Sequence, residues 1–535
     1  MTEEKSDPLA PQTEGQKERS KLAGRAGIVG LGTLASRLLG LGRDMALAAI
    51  FTRDEMDAFF AAFTIPNALR QLLGEGAVSS AVVPVLSERL AKDGEENAQA
   101  FFARVRAASL LALVAVTALG MIFARPVTEL FAGGYHSRPG EFERTATMTR
   151  LVFPYIFFMG TAALGMAALH THRKFAVASF APMLLNVAFL IAAFTLPGRL
   201  EAAGYDRVYA IGIGALFGGA LQVIAQWPAL RKIGYLRRPV LDLRDPGVRE
   251  VMRRLVPMTF GIGVYYIDLV VCRRFLSELG TGSQSYFSWA QRLCEFPQGI
   301  FVMAISTAAL PSLATLAAKG DREELAKTYA HGMKLGLFVA IPASVALATL
   351  GEPLVAMLFQ RGQFDAQASM ETARSLVWQG GAIWTLAAVR QLVPVFHALG
   401  DTRTPVIVSA IDLLVLIALA VVLKGPMGHA GISAAVAGSS FVQMVLLFVG
   451  LKMRLGTIRA RELVSSVMRT VLASAIAGAC AWALARLLDA PLARGLVAGG
   501  VFSAVFFVAA WGARSEELDH TLGGVRRRLG RTRAP

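Results

Sequence analysis

Apolar runs of about 20 residues, the length that crosses a ~30 Å hydrocarbon core, recur along almost the whole chain, and no other feature restricts its folding as strongly. Fourteen can be marked, near 26–51, 57–88, 104–124, 149–171, 175–196, 207–230, 254–277, 284–316, 330–351, 371–398, 404–424, 429–452, 462–487 and 490–512. Inside lipid each backbone N–H and C=O must be satisfied within its own segment, so such runs become helices. The sequence therefore predicts an all-α polytopic membrane protein with 14 transmembrane helices. With 54% hydrophobic and 17% charged residues and a mean hydropathy of +0.51, the 535-residue chain is too apolar for a soluble protein of its size.

The polar N-terminus, residues 1–25, lacks the apolar core of a secretory signal and reads as a disordered cytoplasmic tail. The net charge of +16 is not spread evenly. The connection 231–254 holds eight Lys/Arg against three acids, whereas 125–150 holds four Arg against three acids and 351–374 two Arg against three. That bias places both termini in the cytoplasm and makes residues 514–535 a basic tail beside anionic lipid rather than a nucleic-acid binder. Cys272, Cys294 and Cys480 lack metal-type spacing and read as small core residues. There is no HExxH pair and no GxxxxGK[ST] loop, so no metal site, ATPase or zinc enzyme is expected.

Charges inside the apolar runs carry the functional signal, because an Arg or Lys at mid-membrane costs about 2.5–3.5 kcal/mol on insertion scales and is usually kept for a pathway or a site. The first run carries Ser36, Arg37, Arg43 and Asp44, with Arg37 and Asp44 seven apart on one face. The second carries Asn67 and Arg70 just after Pro66. In the eighth, Ser285, Ser288, Arg292 and Glu295 form one stripe, which either lines a cavity or ends in a structural Arg292–Glu295 pair.

An internal repeat organises these runs. Residues 77–86, AVSSAVVPVL, match 304–313, AISTAALPSL, at half of the ten positions, and the same 227-residue offset pairs Phe60 with Phe287 and His170 with His397, two histidines expected at helix ends. It carries span 2 onto span 8 and span 4 onto span 10. The expected organisation is an N-lobe of spans 1–6 (residues 26–232) and a C-lobe of spans 7–12 (233–453). The lobes are pseudo-symmetric about a central cavity, as in transporters that rock one half against the other. Spans 13 and 14 (454–513) stand outside the repeat.

Three stretches, SRLLGLGRD from Ser36, DAFFAAFTIPNALRQLLGEGAVSSAVVPVLSE from Asp57 and RLCEFPQGIFVMAISTAALPSLA from Arg292, resemble the MurJ (MviN) family of lipid II flippases. That family belongs to the superfamily of multidrug, oligosaccharidyl-lipid and polysaccharide exporters. The resemblance implies fourteen helices, the last two forming a lipid-binding groove. It also implies transfer of the undecaprenyl-pyrophosphate-linked peptidoglycan precursor from the cytoplasmic to the periplasmic leaflet of the bacterial inner membrane, for cell-wall synthesis. Motif by motif it carries over Arg37, Arg43, Arg70 and Arg292 as the cations for the pyrophosphate, with Ser36, Asn67 and Ser285 lining the cavity. The acids Asp57, Glu75, Glu295 and Asp44 are then gate or structural partners of the arginines, since a carboxylate facing pyrophosphate would repel it. Arginine suits the task because its planar fork binds oxygens in pairs and keeps its charge. Gln71 stands where the family has a second arginine after Arg70, so one local charge is missing.

Partners implied are lipid II, membrane lipids and cell-wall synthesis or regulatory proteins. No cofactor is implied beyond a coupling monovalent cation or proton. Some family members bind sodium between helices 7, 11 and 12, but the corresponding places here are Cys272, Leu416 and Ala420. One turn earlier stand Asp268 and Asp412, which with Ser439 or Ser440 make either a displaced ion or proton site or two independent buried carboxyls. Competing readings are an exporter of another polyprenyl-linked oligosaccharide or of cationic drugs, and a membrane enzyme. The drug reading wants acids where this chain has arginines, and the enzyme reading wants a carboxylate cluster or activated nucleophile that is missing, so no enzymatic activity is expected.

Overall fold

Helix follows helix, as the apolar runs require, in a computed structural model that describes residues 14–72, 78–298, 312–456 and 459–518. In chain order they are α1 (Glu14–Ile50), α2 (Arg53–Leu72), α3 (Val78–Ile122), α4 (Ala124–Ala132), α5 (Glu141–Val152), α6 (Tyr155–Thr171), α7 (Phe175–Thr195), α8 (Pro197–Ala202), α9 (Tyr209–Lys232) and α10 (Pro246–Ser277). There follow α11 (Ser283–Pro297), α12 (Arg322–Thr349), α13 (Gly351–Phe359), α14 (Ala366–Gly381), α15 (Ile383–Ala398), α16 (Arg403–Met427), α17 (His429–Leu455), α18 (Ala460–Ala485) and α19 (Pro491–Gly512). No β-strand occurs among the described residues.

Eight stretches of the described residues are long and apolar enough to cross a membrane. The expected span 371–398 is divided by a break that hydropathy does not register, α14 ending at Gly381 and α15 starting at Ile383. α3 continues through the polar stretch after 88 to Ile122, with a break at Gly94, whose φ of 80° lies in the left-handed region that glycine adopts at little cost. α1 begins at Glu14, so residues 14–25, expected as tail, continue the first helix.

The same offset also relates helix boundaries. An offset of 227 carries α4 onto α13 residue for residue and α6 onto α15 to within one residue. His170 and His397 both lie in the last turn of their helices. The matching decapeptide of the second half falls mostly on 304–311, outside the described residues.

The chain forms two compact units. The first comprises residues up to 50, 62–128 and 143–266, and the second comprises 51–61, 129–142 and 267 onwards. In the first, Val82, Phe101, Phe102, Leu164, Leu169 and Val251 centre a core drawn from α3, α6 and α10. In the second, α12, α15 and α17 meet around Met333, Leu392, Phe396 and Leu451. The α18–α19 pair packs on itself and on Phe338 and Leu350 through Ala473, Ala477, Ala481 and Ala485 on one helix and Ala498, Phe502, Phe506 and Ala510 on the other. Small residues four apart let the backbones approach, which is how helices associate where lipid removes the hydrophobic drive. Arg494 of α19 ties this pair to Glu352 of α13 with two bonds of 3.0 and 2.8 Å.

Large apolar side chains cover the outer surfaces, among them Phe194, Val422, Val508 and Trp511. This overturns the reading of Cys480 as core: it is exposed, while Cys272 and Cys294 are buried. In a membrane protein an apolar position faces lipid as readily as protein.

Candidate functional site

In the first unit, α1 and α7 approach so closely that a Cβ on Gly32 would stand 2.9 Å from the Ser179 carbonyl oxygen. On this contact sits Arg43. Its Nε and Nη2 both donate to Asp44 Oδ1, at 2.8 and 2.6 Å, and Nη1 donates to Asn186 Oδ1 at 3.0 Å. Asn186 Nδ2 in turn donates to the Ser36 carbonyl at 3.0 Å, and the Phe189 ring lies beneath the guanidinium, 5.2 Å from Cζ. Asp44 is buried and Arg43 retains 13% of its side-chain exposure. Arg37, one helical stripe earlier, is half-buried.

α2 contributes Arg70, whose Nε donates to Asn67 Oδ1 at 3.1 Å, so the expected Asn67–Arg70 pair is formed. Arg43 and Arg70 both lie within electrostatic reach of Tyr155 on α6, a fully buried tyrosine whose hydroxyl makes no hydrogen bond with the described residues. Three of the four sequence-selected arginines thus belong to the first unit, and Arg43 and Arg70 share one aromatic neighbour there. Glu75 and the following Gly76 lie outside the described residues.

The second unit holds a different polar centre. Asp57, fully buried, accepts from the backbone N–H of Gly282 and Ser285 and from the Ser285 hydroxyl, each at 2.7 Å. It therefore caps the N-terminus of α11, where free N–H groups and the helix dipole favour a carboxylate. The arginine beside it is Arg138, at 3.6 Å, which also donates to the Leu279 carbonyl. None of the four expected arginines fills that place. Arg53 pairs with Asp365 and donates to Gln367 at 3.3 Å, and the Phe60 and Trp289 rings meet edge to face at 4.8 Å. Gly134 N–H donates to Ser277 Oγ at 3.1 Å. Two short pieces from the first half of the chain, 51–61 and 129–142, are thereby bound to the ends of α10, α11 and α14.

The expected stripe on α11 divides. Ser285 and Ser288 are buried, the latter accepting from buried Arg273 at 2.6 Å. Arg292 and Glu295, further along, pair at 2.9 Å with both side chains more than a third exposed. Ser285 is thus engaged with Asp57 and the Arg53 carbonyl.

α10, α16 and α17 converge on Cys272, Leu276, Leu416, Ala420 and Ala435, an apolar cluster at the places where the resemblance implies sodium ligands. Those residues do not fit a cation. One turn earlier, Asp268 and Asp412 lie within electrostatic reach of each other. Asp412 is buried, its Oδ1 makes no hydrogen bond with the described residues, and the Ser439 hydroxyl near it donates to the Val436 carbonyl at 3.2 Å.

The sequence profile described as "Lipid II flippase MurJ" matches residues 47–507. The chain belongs to the MurJ family of lipid II flippases. Among its relatives, the lipid II flippase MurJ of Burkholderia cenocepacia is 35% identical over 79% of this chain and 82% of its own. The probable lipid II flippase MurJ of Vibrio cholerae is 34% identical over 84% and 86%. In fold, the chain is similar to a lipid II flippase MurJ solved in an inward closed conformation, with a TM-score of 0.74, 22% identity, and coverage of 90% of this chain and 97% of that one. An inward-facing multidrug transporter of the MATE family and the MOP superfamily gives 0.64 at 14% identity, over 79% and 96%. MurJ membership adds no residue to the site. Asn186, Phe189, Tyr155 and Arg138 were not singled out from sequence, since each is one unremarkable residue whose partner lies far away in the chain.

Proposed function

We propose that this chain moves lipid II from the cytoplasmic to the periplasmic leaflet of the bacterial inner membrane by alternating access. The body is fourteen helices in two six-helix lobes, with α18 and α19 appended and both termini cytoplasmic. The observation that carries this reading is the family match across 47–507. Arg37, Arg43, Arg70 and Arg292 bind the pyrophosphate, with Ser36 and Asn67 beside them. Asp57 and Ser285 hold residues 51–61 to α11 in one state and release them in the other. The lipid tail stays in the bilayer throughout. In this structure Arg43 is paired with Asp44 and Arg292 with Glu295, so the pyrophosphate binds these two by competing with their carboxylates, while Asp57 is turned to the α11 N-terminus.

Asp268 and Asp412, with the Ser439 hydroxyl, would hold a coupling monovalent cation or proton, supplying a charge whose binding biases one state over the other. The orphaned Asp412 Oδ1 supports this.

Labelled lipid II in vesicles tests the reading: purified protein should expose it to the outer leaflet, whereas another polyprenyl-linked oligosaccharide should stay. In cells depleted of their own flippase, Ala variants of the four arginines made at normal levels should fail to restore growth. Full growth from all four would refute the arginine assignment.

A further inference from the structure

A guanidinium held in one orientation offers its fork to a pyrophosphate without first having to be ordered, and the structure holds Arg43 in this way from two helices. One point of attachment is the single oxygen Asp44 Oδ1, on which both Nε and Nη2 converge. A second point and a plane come from α7. Asn186 and Phe189 are three residues apart and share a helix face. The amide oxygen of Asn186 takes Nη1, and the Phe189 ring lies under the guanidinium. Asn186 is itself fixed, being only 6% exposed and donating its Nδ2 back to the Ser36 carbonyl, two turns before Arg43 on α1. Phe189 is fully buried against Phe63, 6.1 Å away in an edge-on contact.

We propose that Asn186 is a positioning residue for substrate recognition, with Phe189 as its support. Its carboxamide spans α1 and Arg43, sets the rotation of the guanidinium, and so presents this cation to the phosphoanhydride of the carrier lipid. An amide suits the place better than a carboxylate. It accepts from Arg43 without adding a second negative charge beside Asp44, which would neutralise the cation against an anionic ligand. It also donates to the Ser36 carbonyl, which a carboxylate cannot do. Asn186 acts through Arg43 and need not touch the substrate. The inference rests on the reading of Arg43 as a pyrophosphate ligand.

The test is a double-mutant cycle on the affinity of the purified full-length protein for lipid II in nanodiscs, using Asn186→Leu, Arg43→Ala and the pair. Asn186→Leu should weaken binding about tenfold, the scale of one charge-assisted hydrogen bond. On the Arg43→Ala background it should weaken binding no further. A packing role for Asn186 would lower the melting temperature on both backgrounds but would not make its effect on affinity depend on Arg43. If the two losses add, or if Asn186→Leu leaves affinity unchanged, the positioning role is wrong. If Arg43→Ala itself leaves affinity unchanged, the arginine reading fails and the positioning role with it. Should Asn186→Leu not fold, Phe189→Leu keeps the amide and removes the plane beneath the guanidinium. In the same cycle it should give a loss of roughly threefold that again vanishes without Arg43.

Discussion

Replacing Asp57 with Asn removes one negative charge and almost no volume from the α11 N-terminus, so its effect can be worked from the bonds Asp57 makes. The carboxylate receives three donors, Gly282 N–H at one oxygen and Ser285 N–H and hydroxyl at the other. An amide has one acceptor oxygen, so at least one of these donors must face an NH2 group. Losing a hydrogen bond to a charged group costs about 1.5–3 kcal/mol. Removing the charge from the helix N-terminus costs a further 0.3–1 kcal/mol or so. Arg138, 3.6 Å away with a side chain 15% exposed, loses its nearby counter-charge as well. A total of about 2–4 kcal/mol, at 1.4 kcal/mol per tenfold, shifts the equilibrium roughly 30- to 700-fold toward separation of residues 51–61 from α11. Cysteines at Phe60 and Trp289, whose rings meet at 4.8 Å between residues 51–61 and α11, report that contact by crosslinking in a background with Cys272, Cys294 and Cys480 replaced by Ala. Crosslinking yield should fall in Asp57→Asn. It should fall further in Asp57→Leu, which removes every acceptor and guards against a contact too strongly favoured for the Asn change to register. Unchanged yields in both folded variants would refute the view that Asp57 holds this contact.

Gly134→Ala should lower the melting temperature, because its Cβ would come within 2.5 Å of the backbone at Ser277 and Glu278 and force the 133–137 turn off α10. Transport under imposed sodium, proton and voltage gradients should lose its gradient dependence in an Asp268→Asn/Asp412→Asn double variant; wild-type rate and dependence there would dismiss the coupling site. Arg494→Ala should lower the melting temperature by a few degrees through loss of the two-bonded pair with Glu352, and exchanging the two charges should restore part of it. Between α15 and α16, hydrogen bonds from Thr404, and Arg454 at 2.8 Å, hold the Asp401 carboxyl below its ordinary range. A depressed carboxylate stabilises the fold above its unfolded pKa and stops doing so as pH falls through the folded value. Asp401→Asn should therefore melt earlier than wild type at pH 7, with the gap closing below the usual carboxylate range.

Several features were legible in the sequence because they rest on local properties of the chain. Hydropathy marks lipid-crossing runs, and the cost of charge in lipid singles out Arg37, Arg43, Arg70 and Arg292. The 227-residue repeat could be read from ten positions before α4 and α13 matched along their length. The Arg292–Glu295 and Asn67–Arg70 pairs were foreseeable because neighbours three apart on one helix meet whatever surrounds them. What needed the tertiary structure is every pairing between helices. Asn186 reaches Arg43 across 143 residues of chain and Asp57 reaches Ser285 across 228, and such contacts depend on how each helix is rotated about its axis. Periodicity names a face but not its neighbour. The same holds for Cys480, apolar in sequence and exposed in fact, and for the break between α14 and α15, where local backbone geometry divides an apolar run that hydropathy reads as one. Composition and spacing decide what a helix can tolerate in lipid, and packing decides which of its polar groups meet.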